Sequence, residues 1–387
     1  MAAGERARRP RTLLEQRIWQ RNQSLAEFTE AAEEFARRSG ESGTLSERNL
    51  KRLVAGLRTD GTRVGRPRPA TARLLERIFD TGIDELLTPL ESTAREATSE
   101  QELSAALATS RRVTPEVVTL LHGQLEAVRK LDRQLGAITA YDEVAVKVDQ
   151  VSRLLSYSVS AGTRRNLAAL LAELSALAGW QALDRGQIST AWDHYERAKQ
   201  AASQSGDLAL EAHTEAEQAF VLLDLGQTNE AADMLATAEE HARGTTGPTL
   251  RAWLAAAHGE ALAACDRRSA SLRAFDRAES LLPPRPGPDD GPYVVLDDVH
   301  LARWRGNALA RIGEPEAVNV LTEALHELDP TFTRAEAGLR VDLATALTAI
   351  SEHDEAHTHA AKAHALATEI GSARHLRRIA RLPAARI

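Results

Sequence analysis

Apolar residues recur three or four positions apart along most of the chain, the spacing of an α-helix that packs one face against a core. The segment TLSERNLKRLVAGL is an example, with one such face formed by Leu45, Leu50, Leu53, Val54 and Leu57. Ala and Leu fill most apolar positions, whereas aromatic residues make up only 4% of the chain. Because Ala and Leu head the helix propensity scale, the sequence predicts an all-α protein.

The opposite face of the same segment is basic. Arg48, Lys51 and Arg52 are spaced i, i+3 and i+4. That spacing brings three side chains to one side of a helix. The segment therefore predicts an amphipathic helix whose exposed side is positively charged.

Both ends of this helix carry recognisable signals. Thr44 and Glu47 have the spacing of a capping box, in which side chains and backbone N–H groups satisfy each other at a helix start. Gly56 suits the left-handed conformation in which many helices end. The sequence thus predicts a helix that begins after Thr44 and ends at Gly56.

Charge is divided unevenly between the two ends of the chain. Residues 1–88 contain 17 Lys and Arg against 13 Asp and Glu, whereas the remaining residues contain 31 against 42. Within 44–78 there are nine basic residues against three acidic ones. A basic N-terminal module joined to an acidic body predicts an anionic partner at the N-terminal end.

The number of cysteines and the hydropathy of the chain indicate the cellular compartment of the protein. Cys265 is the single cysteine, so an intramolecular disulfide and a cysteine-based metal cluster are excluded. No apolar run approaches the roughly 18 residues that cross a bilayer. The basic N-terminus is followed by no apolar signal segment. We therefore expect a cytoplasmic protein with no membrane partner.

Beyond residue 164 the chain repeats itself. Five segments carry a small residue, a bulkier residue or Ala four positions later, and Ala three positions after that. The final alanines of these trios are 40, 40, 46 and 39 positions apart, at Ala198, Ala238, Ala278, Ala324 and Ala363. The longest interval contains the proline-rich stretch 283–292, which predicts an exposed insertion.

A second small residue precedes each trio by 11 or 12 positions, at Gly179, Ala219, Gly259, Gly306 and Ala344. Small residues at two places in every repeat allow two antiparallel helices to approach closely. The spacing therefore predicts a series of stacked helix pairs.

The N-terminal residues resemble a known DNA-binding module. The order of short helices, the segment LSERNLKRLVAG and the ending RPRPATARLLERIFDTGIDELL are similar to the Cro/repressor-type (XRE) helix-turn-helix. The resemblance implies that the basic helix is the recognition helix, with DNA contacts at Ser46, Arg48, Asn49, Lys51 and Arg52. Arg pairs bidentately with guanine and Asn with adenine, so these residue types suit base readout.

Two segments depart from that family. RRSGESGT lengthens the turn before the basic helix, and RTDGTRVGRPRP lengthens the loop after it. The second segment is a loop rich in Gly and Pro. We expect its arginines to lie along the DNA phosphates, at Arg58, Arg63, Arg66 and Arg68.

The repeat region resembles the tetratricopeptide repeat (TPR), in which helix pairs stack into a superhelix, and a HEAT-like array is the alternative. GWQALDRGQISTAWDHYERAKQAASQSGD and GSARHLRRIARL are similar to actinobacterial regulators that join an XRE-type module to a C-terminal TPR domain. The implied organisation is a helix-turn-helix domain at 1–88, a linker or loosely packed helix at 89–112, connecting helices at 113–163 and a TPR-like α-solenoid at 164–387.

Arrays of this type bind along the concave surface formed by the first helix of each pair. Mapping that face onto the small-residue register gives twelve candidate groove residues: Glu173, Trp180, Asp184, His213, Phe220, Asp224, Trp253, Glu260, His300, Arg303, Asn307 and Arg311. Trp180, Phe220 and Trp253 recur on successive repeats, so a signalling peptide or a small ligand would rest on them. The alternative is that these rings only pack between neighbouring helices.

A histidine-rich segment near the C-terminus, EHDEAHTHAAKAH, suggests a metal site at first sight. His353 and His357 share a helical face, but the glutamate is misplaced for the zinc-metalloprotease motif. The chain contains no phosphate-binding loop, dinucleotide-binding glycine motif or nucleophile elbow. We expect no metal site, no cofactor and no catalytic activity.

The leading hypothesis is a transcriptional regulator that binds double-stranded DNA through its N-terminal module. Its repeats would form a homodimer, sense a signal, or do both. The alternative is a protein–protein interaction adaptor whose N-terminal bundle does not bind DNA, and the two lengthened segments favour it.

Overall fold

The computed structural model describes residues 10–21, 23–56, 64–88, 90–284 and 293–382, and only the backbone of 90–99. Its described residues form nineteen α-helices and no β-strand, as the all-α prediction requires. The chain divides into two compact units, Met1–Ala106 and Leu107–Ile387. None of the helices in the described ranges combines the length and hydrophobicity needed to span a bilayer.

The first unit contains five short helices packed around one core. They are α1 (Leu13–Gln20), α2 (Leu25–Ser39), α3 (Glu47–Ala55), α4 (Pro69–Phe79) and α5 (Ile83–Leu86). The core includes four of the five residues of the apolar face of the basic helix, because Leu45, Leu50, Leu53 and Val54 are all fully buried. The fifth, Leu57, lies outside the described residues. The rings of Phe28 and Phe79 stack with centroids 5.3 Å apart and join α2 to α4.

The start of α3 differs from the sequence prediction. Ser46 is the N-cap, and its hydroxyl accepts a hydrogen bond from the backbone N–H of Asn49. The predicted capping box of Thr44 and Glu47 is therefore wrong, since serine two positions later takes the capping role. Gly56 ends the helix with a φ of 72°, as predicted.

The segment between the predicted domains is helical. Helix α6 (Leu90–Arg111) occupies most of the stretch 89–112, for which the sequence suggested a linker or a loosely packed helix. The boundary between the two compact units falls within this helix. Near its end, the Ser110 hydroxyl donates to the carbonyl oxygen of Leu154 at 2.8 Å, inside the second unit.

The second unit is an array of helix pairs. Its helices are α7 (Pro115–Leu135), α8 (Ala137–Tyr157), α9 (Ala161–Asp184), α10 (Ile188–Ser205), α11 (Leu208–Leu225), α12 (Thr228–His241), α13 (Pro248–Ala264), α14 (Arg268–Leu281), α15 (Asp298–Arg311), α16 (Glu316–Glu327), α17 (Thr333–Ala349), α18 (His353–Glu369) and α19 (Ala373–Ala380). Each odd-numbered helix from α7 to α17 packs on the even-numbered helix that follows it and on the next odd-numbered helix. The stretch 113–163 contributes the first pair, α7 and α8.

The small-residue register marks where paired helices touch. A side-chain carbon on Gly179 would lie 3.0 Å from the ring of Tyr195, and one on Gly259 would lie 2.7 Å from the ring of Phe275. Both rings are buried, and each is the bulky member of a repeat trio. Glycine at these positions therefore makes room for an aromatic ring of the partner helix.

The array closes on itself. Helices α17 and α19, at its end, pack against α7 and α9, at its start. Gly136, in the turn between α7 and α8, lies directly against Ile370, and Gly371 lies directly against Ile138. The odd-numbered helices consequently form a ring around an inner space that is still partly open to solvent.

Candidate ligand cavity and basic helix

The inner space of the array contains a cavity of about 340 Å³, referred to below as the lumen. Its wall includes residues from every odd-numbered helix between α7 and α19, together with Tyr293 and Val295. Closure by α17 and α19 is what encloses this space, because without these helices the concave surface would be open to solvent on that side.

Aromatic rings form one wall of the lumen. The centroid of Phe220 lies 6.0 Å from that of Trp180, 6.3 Å from that of Trp253 and 6.0 Å from that of Trp304, with the ring planes steeply inclined. Trp253 and Trp304 are 5.7 Å apart. Inclined ring contacts of this kind add stability beyond burial of area. The rings thus pack between helices and also line the lumen, and the binding of a ligand to them stays a prediction.

A network of ion pairs closes the array beside the lumen. Arg334 on α17 donates to both carboxylate oxygens of Asp132 on α7, at 2.5 and 2.8 Å, and to Asp184 on α9 at 3.1 Å. Ser372 donates to Asp184 at 2.5 Å, and Gln181 donates to Asp132 at 2.8 Å. Burial opposes the charge on Arg334, but the two aspartates outweigh burial and raise its pKa.

Further ion pairs occupy most of the other carboxylates that face the lumen. Glu173 accepts from Arg129 at 2.8 Å, and Asp224 accepts from Arg374 at 2.9 Å. Burial alone would raise the pKa of Glu173, but His122 and Arg129 together lower it, so this carboxylate is charged.

Arg303 on α15 differs from those arginines. It is half-buried in the lumen wall, and its Nε is buried without a hydrogen-bond partner among the described residues. Burial lowers the pKa of Arg303, and the nearby carboxylates of Asp342 and Glu260 offset this only in part. Asp342 already accepts a hydrogen bond from Arg378 and one from Asn307 at 2.7 Å.

His213 and Glu217 on α11 form an uncharged pair in the wall. The His213 Nε2 lies 3.7 Å from a Glu217 carboxyl oxygen. Burial lowers the pKa of His213 to about 3 and raises the pKa of Glu217 to about 8. At neutral pH both groups are therefore uncharged, and the His213 ring packs against Trp253 and Tyr293 with centroids 4.9 and 4.6 Å away.

Eleven of the twelve groove residues expected from the sequence line this lumen. The exception is Asp184, which is buried in the closure network with Arg334 and Ser372. Of the other expected residues, His300 is held by its hydrogen bond to Asp297 at 2.7 Å and packs edge-on against Phe332. Whether any of the twelve binds a ligand stays a prediction.

Sequence reasoning missed the residues that α7, α17 and α19 contribute. These are chiefly the charged residues Arg129, Asp132, Arg133, Arg334, Asp342, Arg374, Arg377 and Arg378. Local periodicity placed α7 among the connecting helices and gave no signal that the end of the array returns to its start. Trp304 was also missed, although it directly follows the expected Arg303.

The N-terminal candidates lie on and around α3. Arg48, Lys51 and Arg52 are exposed, as the predicted basic face requires, and Asn49 is half-buried. Two of these side chains also have partners on the helix itself: Lys51 pairs with Glu47 at 2.6 Å, and Arg52 donates to Asn49 at 2.9 Å.

The four arginines expected in the loop after α3 differ in where the structure places them. Arg58 and Arg63 lie outside the described residues. Arg66 is exposed but forms a two-point ion pair with Asp84 on α5, with its Nε 2.6 Å from one carboxylate oxygen. Arg68 is exposed at the N-terminal end of α4.

The histidine-rich segment forms the first part of α18. Among the described residues no group of three or more His, Cys, Asp and Glu side chains is arranged to hold a metal ion. His359 instead lies 3.4 Å from Arg340 of the neighbouring helix.

Comparison with known proteins gives a limited result. The sequence matches no protein-family model and no curated protein. Two solved structures of a putative kinesin light chain from Podosopora anserina with nearly identical TPR-like repeats, one of them a point variant, are similar in part. They cover 50% of this chain and 93% and 94% of their own, at 15% and 16% identity and a TM-score of 0.33. The assignment of a helical-repeat array rests on the helix pairing described above.

Proposed function

We propose that the protein is a DNA-binding transcriptional regulator whose helical-repeat unit senses a ligand in its lumen. The DNA-binding part of this proposal rests on one observation: helix α3 has an apolar face and an opposite basic face. Its apolar face is fully buried in the five-helix core, and its opposite face holds Arg48, Lys51 and Arg52 in solvent. A stable helix with an exposed basic face meets the first requirement for entry into a major groove.

The lumen supports the sensing half. It joins an apolar aromatic wall to polar groups such as Arg303, and this combination is typical of small-ligand sites. A ligand that binds better to one closure geometry than to another shifts the population between them. In a homodimer such a shift would change the spacing of two α3 helices, and the proposal includes no catalytic step.

Fluorescence anisotropy with duplexes from the gene's own upstream region tests DNA binding. A random duplex of equal length and a salt series run beside it. We expect preferential binding that weakens log-linearly with salt. The Arg48→Ala variant should lose about 1–3 kcal/mol on the specific duplex and relax specificity at one base position. Equally weak binding of the wild type to both duplexes would contradict sequence-specific recognition of the upstream duplex by α3.

The adaptor is the second candidate, and a specific observation favours it. Lys51 and Arg66 are already paired with carboxylates of their own unit, and Arg52 already binds Asn49. If the folded protein fails to bind either duplex even at low salt, the exposed face of α3 is better explained as a protein-binding surface.

A further inference from the structure

Arg303 lies in the lumen wall with one of its hydrogen-bond donors unpaired among the described residues. Its Nε is buried and has no acceptor within the described part of the chain. Leaving a buried donor without a partner costs free energy, and arginine cannot remove that cost by losing its proton. The Nε itself has no surface that a ligand could reach, so an acceptor from outside the chain would bind the terminal N–H groups of this half-buried side chain. Partial burial strengthens that charge interaction relative to a fully solvated arginine.

Asn307 lies one helical turn beyond Arg303 and faces the same space. Its Nδ2 donates to Asp342 at 2.7 Å, and because that carboxylate can only accept, the amide orientation is fixed. The Asn307 Oδ1 is then left buried, without a donor among the residues described. The two unpaired atoms thus lie on side chains at i and i+4 of α15, and neither has surface open to a ligand.

The charge of the lumen wall is positive although the C-terminal body is acidic. Among the described lining residues, nine arginines face six carboxyl groups. One of the six, Glu217, is held in its protonated form by burial, which raises its pKa to about 8. The wall therefore carries a surplus of positive charge that favours an anion.

Size and shape restrict the ligand further. The lumen measures about 340 Å³, and α17 and α19 complete the ring of helices around it, which limits the width of a ligand inside. Trp304 stands beside Arg303 in sequence and packs against Trp253 at 5.7 Å. A flat apolar group placed against these rings would lie next to the guanidinium of Arg303.

We propose that the lumen binds a compact organic acid that carries an aromatic ring. Its acid group binds the terminal N–H groups of Arg303, and its ring packs on Trp253 and Trp304. This inference rests on the proposed sensing function and names the chemical class of the ligand.

Isothermal titration calorimetry with a matched pair of probes tests the inference. The probes are 1-naphthylacetate and its uncharged amide, 1-naphthylacetamide, titrated to low millimolar concentration into the full chain. The variants are Arg303→Gln and, as a control, Arg197→Gln, which changes an exposed arginine on α10 outside the lumen. The ratio of the two affinities within one variant is insensitive to small differences in folded fraction.

We expect the wild type and Arg197→Gln to prefer the acid by about tenfold or more, since hydrogen bonds to charged groups are the stronger ones. Arg303→Gln should lose that preference and keep its affinity for the amide. Binding of both probes with no preference, or a preference unchanged in Arg303→Gln, would overturn the acid assignment and leave the lumen as a ligand site.

Failure of both probes to bind would overturn the inference alone, because the sensing half of the proposed function does not specify an aromatic acid. DNA binding is measured separately, so the regulator's other half would still stand or fall on the anisotropy experiment.

Discussion

Arg334 and Asp132 are 202 positions apart in the sequence, yet the guanidinium of one binds both carboxylate oxygens of the other at 2.5 and 2.8 Å. Both side chains are buried. The pair links the last full helix pair of the array to the first, and with Asp184 it forms the charged centre of the closure.

We expect Arg334→Met to destabilise the repeat unit by about 3–5 kcal/mol, because it leaves two buried carboxylates without their counter-charge. Urea unfolding of the full chain, followed by far-UV circular dichroism, measures this loss. Arg340→Met is the matched control, since Arg340 lies on the same helix and pairs with Glu336 one turn away. The control should lose less than about 1 kcal/mol. Equal losses in the two variants would mean that the closure ion pairs contribute no more to the free energy of unfolding than an ion pair within one helix.

Glu217 should make the protein less stable as the pH rises. Burial raises its pKa to about 8 from an ordinary value of 4.5, so between these values the folded chain holds a proton that the unfolded chain releases. The contribution of Glu217 to the free energy of unfolding is fully present below pH 4.5. It is lost as the pH rises to 8, by up to about 1.4 kcal/mol per pH unit.

Glu217→Gln removes this titration. The free energy of unfolding of the variant relative to wild type should increase between pH 5 and 8 and then stay constant. A difference that does not change with pH would show that Glu217 is ionised in the folded protein.

His213 should act in the opposite direction at acid pH. Burial lowers its pKa to about 3 from 6.5, so between these values the unfolded chain binds a proton that the folded chain does not. Stability is therefore lost as the pH falls from 6.5 towards 3. His213→Gln, measured by urea unfolding at several pH values, should be less sensitive to acid over this range. The same acid sensitivity as wild type would assign the loss to other groups.

Gly259→Ala should destabilise the array by about 1–3 kcal/mol, because the added carbon would meet the Phe275 ring at 2.7 Å in a packed core. Gly123→Ala on α7 is the control, as no atom lies within 4 Å of the added carbon. This change should stabilise the helix by about 0.5–1 kcal/mol. Thermal unfolding of both variants measures the contrast, and the same sign of effect in both would refute the close-approach argument.

Asp84→Asn should release Arg66 from its ion pair and make it available to DNA phosphates. We expect tighter binding to specific and random duplexes alike, with a salt slope steeper by about one. Glu34→Gln makes the same change in net charge and releases Arg38 on α2. An equal gain in this control would attribute the effect to net charge rather than to the position of Arg66.

Much of the fold follows from local pattern in the sequence. The recurrence of Ala198 and its counterparts about 40 positions apart fixes the helix pairs, because each small residue marks a point where two helices must touch. The buried face of α3 and its end at Gly56 were predictable for the same reason. The capping residue was not, since Thr44 and Ser46 both suit an N-cap and only the chain path before α3 selects Ser46.

The lumen was predictable only in part. A register based on one face of successive helices found Trp180, Phe220 and Trp253, because repeats place equivalent residues on the same surface. It missed Arg334 and Arg374, whose partners are 150 or more positions away. Closure depends on the rotation of each helix pair relative to the previous pair, added over the whole array. A local sequence pattern does not reveal that total rotation. Asp184 was misplaced for this reason, as it lies where α17 and α19 return.

The contact of Gly136 with Ile370 has a consequence for how many repeats the unit can hold. An open solenoid tolerates the gain or loss of a repeat, because each repeat contacts only its neighbours. In this unit, adding or deleting one helix pair would separate the turn after α7 from the turn before α19. The number of repeats is thus set by closure of the ring.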